Sequence, residues 1–337
     1  MKLPKSLTQV IIEQQRTLKA TGQFSALLND IARACKRISH DVNRGQLVNI
    51  LGSAGTINVQ SETQTKLDII SNEVLIKSMQ WDGHIAAMAS EEMENICPVP
   101  AEYPKGPYMV LFDPLDGSTN IDVNMPIGTI FSILRLPAGV EEAQLEHFLQ
   151  SGIQQVCAGY CLYGSSTMMV LSTGVGVDGF TLDPGIGEFV LTHPKLRIPS
   201  HSYDYSINAA HAAGWESAIR QYIDDCVAGE DGPFGHRFNM RWVGAMVADV
   251  HRTLMRGGVF MYPRDTRSSR AGKIRLLYEA NPMGFLVEQA GGASISNTQC
   301  TLEIKPESLH QRVSVVMGSK ENVETIRDYY HRHELAM

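Results

Sequence analysis

The chain has 337 residues and 43% hydrophobic content, enough for about two domains with packed cores and ordinary for a globular protein. Lys and Arg number 29 against 36 Asp and Glu, a net charge of −7, which argues against a general nucleic-acid-binding surface and leaves anion recognition to local pockets. No apolar run approaches the roughly 20 residues of a membrane span, no signal peptide is evident, and six scattered cysteines without a C-x-x-C pair fit reduced thiols in the cytoplasm.

In chain order, Phe24, Leu27, Leu28, Ile31, Cys35, Ile38 and Val42 recur at helical spacing and predict an amphipathic helix over 23–43, with a shorter helix before it that Gly22 can end. Residues 51–61 are small and polar and read as a loop. Helical patterning resumes over 65–75, and the apolar run 85–89 reads as a short buried strand ending at Ser90-Glu91-Glu92. Further strands are expected at 108–112, 129–136, 165–172 and 186–191, with a hairpin signal at Val177-Asp178-Gly179-Phe180. The Pro-containing polar stretch 193–202 divides the chain near residue 197 into halves 1–197 and 198–337. The second half predicts a strand at 205–209, a helix at 241–256, a strand at 258–262, a helix at 274–289, a strand at 313–317 and a terminal helix opening at 319, an alternation that argues for α/β layers.

The stretch Asp113-Pro114-Leu115-Asp116-Gly117-Ser118-Thr119-Asn120 carries the most chemistry. A buried strand delivers Asp113 to its end, and a proline turn brings Asp116 back beside it. Two carboxylates with a backbone carbonyl and a substrate phosphate suit a hard divalent cation, while Gly117, Ser118 and Thr119 offer consecutive N–H groups and hydroxyls to an anion. Taken alone, D-x-x-D-G also describes an ordinary turn, and an E-E pair an ordinary solvated surface. Glu91 and Glu92, however, follow an apolar strand just as Asp113 does. Four carboxylates converging at neighbouring strand ends would repel one another, and divalent cations relieve that repulsion.

With these motifs in hand, the chain resembles class I fructose-1,6-bisphosphatases. The resemblance rests on Ser90-Glu91-Glu92, the 112–122 stretch, Gly128-Thr129-Ile130-Phe131, Lys66-Leu67-Asp68, Tyr205-Ser206-Ile207-Asn208, the 247–254 segment and the 272–283 segment, in that family's order from about residue 8 to 332. The acidic motif is shared with inositol monophosphatase-like enzymes, whereas the C-terminal motifs are specific. The resemblance implies a layered αβαβα sandwich of the sugar phosphatase type, an α/β (α+β) arrangement of two mixed sheets with flanking helices. It implies two to three Mg²⁺, with Mn²⁺ as a substitute, held by Glu91, Asp113, the Leu115 carbonyl, Asp116 and Glu279, with Glu62 joining them. Asp68 and Glu92 would deprotonate the attacking water.

For the substrate, the resemblance implies Asp116, Gly117, Ser118, Thr119, Asn208, Arg241, Met246, Tyr262, Lys273 and Arg275, with Lys273 and Arg275 expected near a helix start on opposite sides of the sugar. Arg241 would reach a neighbouring subunit's site in a homotetramer. His211 and Trp242 stand where the family commonly has tyrosines holding the 6-phosphate. Thr21, Gly22, Ser25, Tyr108 and Arg135 match positions of an inhibitory AMP site, and Pro107 replaces a lysine often found there, which removes a charge. The expected reaction is hydrolysis of the 1-phosphate of fructose 1,6-bisphosphate in gluconeogenesis, without nucleic-acid or membrane partners. Two alternatives stay open: sedoheptulose-1,7-bisphosphatase activity, alone or in addition, and a catalytically silent sugar-phosphate or nucleotide sensor.

Overall fold

A computed structural model describes residues 4–18, 22–58 and 63–335 of the chain. Glu62 and Thr21 lie outside them.

Among the described residues, two large sheets alternate with three helical layers. The first sheet has eight strands, in the order Glu188–Leu196, Val177–Asp183, Thr167–Ser172, Cys157–Tyr163, Ile127–Arg135, Tyr108–Asp116, Ile85–Ser90 and Cys97–Pro98. All neighbours run antiparallel except Ile85–Ser90 and Tyr108–Asp116, which are parallel and therefore end on the same edge. The second sheet has six strands, ordered Asn239–Met240, Asp204–Ser206, Val259–Tyr262, Val315–Gly318, Ala293–Ser296 and Gln299–Cys300.

Side chains alternate across a strand, so each strand feeds two cores. Phe131 and Ile133 pack with Leu27, Ile31, Cys35 and Leu67 from the helices Gly22–Arg44 and Lys66–Met79 on the outer face of the first sheet. Ile130, Tyr160 and Val170 face the other way. They meet Val247, Val250 and Leu286 from the helices Met246–Arg256 and Asn281–Gln289, and beyond these Phe260, Val315 and Met317 of the second sheet. Val259, Met261 and Val316 close a third core with Ile219, Tyr222, Val323 and Ile326 of the outer helices Ser217–Ala228 and Lys320–Leu335. This is the five-layer αβαβα arrangement, and coverage on both faces explains why the inner strands read as continuous apolar runs.

Several elements differ from the sequence reading. Cys157–Tyr163 is a fully buried strand with no predicted counterpart, built largely of Ala, Gly and Cys. The presumed hairpin at 177–180 is the start of a strand, and the chain turns instead beyond Asp183. The 51–61 loop contains the strand Ser53–Ile57, paired antiparallel with Thr63–Thr65. The helix expected from 241 begins at Met246, because the Asp249 carboxylate in its first turn accepts the Val243 and Gly244 N–H groups, each at 3.0 Å, and folds 241–245 back as a loop. The helix expected over 274–289 resolves into the short strand Ile274–Arg275, a π-turn Leu276–Ala280 and the helix Asn281–Gln289. No helix among the described residues is long and apolar enough to cross a membrane.

Candidate active site

The parallel pair of strands ends at a cleft of about 740 Å³ between the two sheets. Glu91 follows the Ile85–Ser90 strand, its N–H donating to the Phe112 carbonyl at 3.1 Å, which sets it beside Asp113 on the next strand. The Asp113–Asp116 turn is locked from within and from the next strand: Asp113 Oδ1 accepts the Leu115 N–H at 2.9 Å, and Thr129 Oγ1 of the Ile127–Arg135 strand donates to the Pro114 carbonyl at 2.9 Å. Asp116 Oδ2 accepts the N–H of Val247 at 2.7 Å, so the opening turn of the Met246–Arg256 helix holds this carboxylate across the sheet boundary. Gly117 has φ +82°, and a Cβ there would lie 2.3 Å from Ala245 Cβ, so only glycine lets the chain turn this close to the helix start.

Glu279 arrives from the π-turn, an irregularity that often marks functional positions because it re-aims one side chain of a helix. One oxygen from each of Asp113, Asp116 and Glu279 lies within 4.8 Å of the other two. Asp113, Glu91 and Glu279 are buried. Burial, followed by the charges of Glu91, Asp116 and Glu279, pushes the Asp113 carboxyl well above the usual carboxylate range. Asp116 is pushed up to about 7 by burial and then by Glu279, against the Val247 N–H and Arg275. A set of hard oxygen donors that destabilise one another in this way fits a divalent cation.

Arg275, expected at the sugar, lines the same cleft, and its guanidinium is buried against the acidic groups, 2.9 Å from Glu91 Oε1 and 3.9 Å from Glu279 Oε2. Lys273 and Arg275 flank a residue of a short strand rather than opening a helix, so they share a face. Asp68 lies at the cleft wall as the third residue of the Lys66–Met79 helix, where it completes a capping box with Thr65. Glu92 Oε2 accepts from Gln64 Nε2 at 2.5 Å and Asn58 Nδ2 at 3.4 Å.

The opposite wall comes from the second half of the chain. Asn208, Trp242, Met246, Tyr262 and Lys273 line the same cleft as Gly117, Ser118 and Thr119. The Lys273 ammonium sits 5.8 Å from the Tyr262 ring centroid. His211 lies in a small side pocket that shares Asn208, Tyr262 and Lys273 with the cleft, whereas Arg241 is exposed beyond the edge strand and does not line this chain's cleft. Sequence reasoning gave no role to Asn58, Gln64, Asn120 or Asp249. The usable signal for Asp249 was an acid in a helix's first turn after a glycine-containing loop.

Away from the cleft, Gly22 opens the Gly22–Arg44 helix, Ser25 Oγ donates to Gln15 at 2.5 Å, and Arg135 both donates to the Tyr108 hydroxyl at 3.3 Å and lies over its ring. Phe24 packs on Tyr108, which ties these residues into one patch.

Two family models cover almost the whole chain: the fructose-1-6-bisphosphatase N-terminal domain matches residues 5–194 and the C-terminal domain residues 198–331. The chain belongs to the fructose-1,6-bisphosphatase family. Among solved structures, Leishmania major fructose-1,6-bisphosphatase in holo form is 38% identical with a TM-score of 0.90, covering 97% of this chain and 99% of that one. The apo form of the same enzyme is 37% identical with a TM-score of 0.85 and the same coverage. Membership makes the chain a sugar phosphatase with divalent-metal dependence, and the acidic end of the cleft is where such a metal fits.

Proposed function

We propose that this chain hydrolyses the 1-phosphate of D-fructose 1,6-bisphosphate to fructose 6-phosphate, the gluconeogenic reaction. The observation that carries this reading is one cleft with Asp113, Asp116 and Glu279 clustered on one side and Asn208, Tyr262 and Lys273 on the other. Glu91, Asp113, the Leu115 carbonyl, Asp116 and Glu279, with Glu62, would hold two to three Mg²⁺ (or Mn²⁺), which supply neutralising charge to the phosphate and the departing sugar oxygen.

Asp68 and Glu92 take the proton of the attacking water as its oxygen bonds to phosphorus and the bond to the C1 oxygen breaks. The capping box orients Asp68, and Gln64 and Asn58 orient Glu92. Ser118 and Thr119 present hydroxyls and N–H groups to the reacting phosphate. Lys273, Asn208, Tyr262 and His211 hold the distal phosphate, with Trp242 donating one indole N–H and Met246 packing on the sugar. The division near residue 197, a homotetramer in which Arg241 serves a neighbouring site, and AMP inhibition through Thr21, Gly22, Ser25, Tyr108 and Arg135 belong to the same reading. Loss of a lysine at Pro107 weakens the AMP site.

The test is phosphate release from fructose 1,6-bisphosphate and sedoheptulose 1,7-bisphosphate with Mg²⁺, each with and without AMP. Release from the fructose substrate that EDTA abolishes supports the reading. A dominant rate on the heptulose substrate replaces it, and no release from either leaves the sensor.

A further inference from the structure

A second group of ligand-type side chains meets far from the cleft, in the joint between the Gly22–Arg44 helix and the turn after the Lys66–Met79 helix. One donor atom from each of Asp30, Asp82 and His84 lies within 4.8 Å of the other two. Asp30 is 8% exposed, the Asp82 side chain 5% and the His84 side chain 19%. The intervening Gly83 has φ +77°, and the His84 N–H donates to Asp82 Oδ1 at 3.1 Å, so both side chains turn toward the helix.

That hydrogen bond uses one oxygen of Asp82. The other, Oδ2, is buried with no N–H or hydroxyl donor on it, as is His84 Nδ1, and the Asp82 carboxyl lies within hydrogen-bonding reach of Asp30. Oδ2 lies 3.9 Å from His84 Nε2, too long for a hydrogen bond but close to the roughly 3.3 Å that separates two ligands of one tetrahedral zinc. Asp30 and Asp82 are both acceptors when ionised, so a proton or a cation must mediate between them. Arg33 pairs with Asp30 Oδ1 at 2.7 Å, but its side chain is 54% exposed and also donates to the Ser78 carbonyl, so it compensates only the outer oxygen of Asp30. Burial and then Asp82 push the Asp30 carboxyl up to about 7, as expected of an under-compensated pair.

We propose that Asp30, Asp82 and His84 form a binding site for a divalent transition-metal cation, best matched by Zn²⁺, that pins the Gly22–Arg44 helix to the turn following the Lys66–Met79 helix. Imidazole nitrogen and carboxylate oxygen are both zinc donors, and three protein ligands leave a fourth position for water. Magnesium, which prefers an all-oxygen shell, stays with the carboxylates of the cleft. The site does not depend on the reaction assigned to the cleft.

The location-specific test is an anomalous difference map at the zinc absorption edge from crystals of the full chain equilibrated with stoichiometric Zn²⁺ and excess Mg²⁺. The expected result is a peak about 2.0–2.2 Å from a carboxylate oxygen of Asp30 and of Asp82 and from a ring nitrogen of His84. Equilibrium dialysis with the same ions should show one Zn²⁺ fewer per chain in both Asp82→Asn and His84→Ala. Asp82→Asn conserves volume, and an unchanged Mg²⁺-dependent rate in that variant would show that it folds. No peak at these three side chains, or equal zinc stoichiometry in the variants, overturns the proposal. So does a melting temperature that responds to pH near 7 but not to Zn²⁺, the signature of a shared proton.

Discussion

The two walls of the cleft are built by opposite means. On the acidic wall, Glu91, Asp113 and Glu279 are buried, set by strand ends and a π-turn and tied down by backbone N–H groups and Arg275. On the facing wall, Lys273 and His211 are exposed and Asn208, Trp242 and Tyr262 half-buried, on short strands and loops of the second half of the chain. Charge that must not move is carried by rigid backbone, and groups that must adapt to a sugar are left free to reorient. The first wall therefore controls whether reaction occurs, and the second controls which molecule reacts.

The comparison breaks most visibly at Glu92. Glu92→Gln should lower kcat by about 10²–10⁴-fold, the usual range for removing a general base, with KM within about threefold. A large KM rise with kcat preserved would move Glu92 to the binding side. On the facing wall, Lys273→Ala removes charge-assisted hydrogen bonds worth roughly 1.5–3 kcal/mol, so KM for the bisphosphate should rise about 10- to 100-fold while kcat changes little. His211→Ala should do the same more weakly, about threefold to tenfold, consistent with a single hydrogen bond. An unchanged KM in steady-state assays would take His211 out of the substrate site.

A last test sharpens how the walls are joined. His251, on the Met246–Arg256 helix, meets the Tyr160 hydroxyl of the first sheet at 2.8 Å through Nδ1. Burial, followed by the charge of His193, lowers its pKa to about 4. Because the folded state resists protonation, the unfolded chain binds more protons between pH 6.5 and 4. Stability is thus retained above the unfolded value and falls as pH drops through this window, by up to about 3 kcal/mol at its acid end. Urea unfolding of the wild type and His251→Gln across pH 4–7 measures it, and parallel pH dependences would assign the loss to other groups.

Much of the acidic wall was legible because its signals are local. An apolar run ending in Ser90-Glu91-Glu92, and another ending in Asp113-Pro114-Leu115-Asp116, each say where a strand stops and what it delivers. The Cys157–Tyr163 strand was hidden because Ala, Gly and Cys carry little β signal, and only burial on both faces selects it. The Ser217–Ala228 helix did carry a signal in Ala218, Ile219, Tyr222, Ile223 and Cys226 at helical spacing, and it was missed. The contact of Arg275 with Glu91 joins segments distant in the chain and was not readable, whereas Asp249 reaches back only five and six residues, and its place in the first turn was the signal overlooked.

Ligand types, strand ends and glycine positions belong to short stretches of chain, which is why the residues alone identify metal-assisted phosphate chemistry and, through resemblance, the family. Which carboxylates share a cluster, that Arg275 lies within it, and that Arg241 stands outside this chain's cleft depend on how two sheets pack across one helical layer. Coulombic repulsion and burial act through space rather than along the chain, so the closeness of residue 279 to the 113–116 turn exists only once that layer has formed.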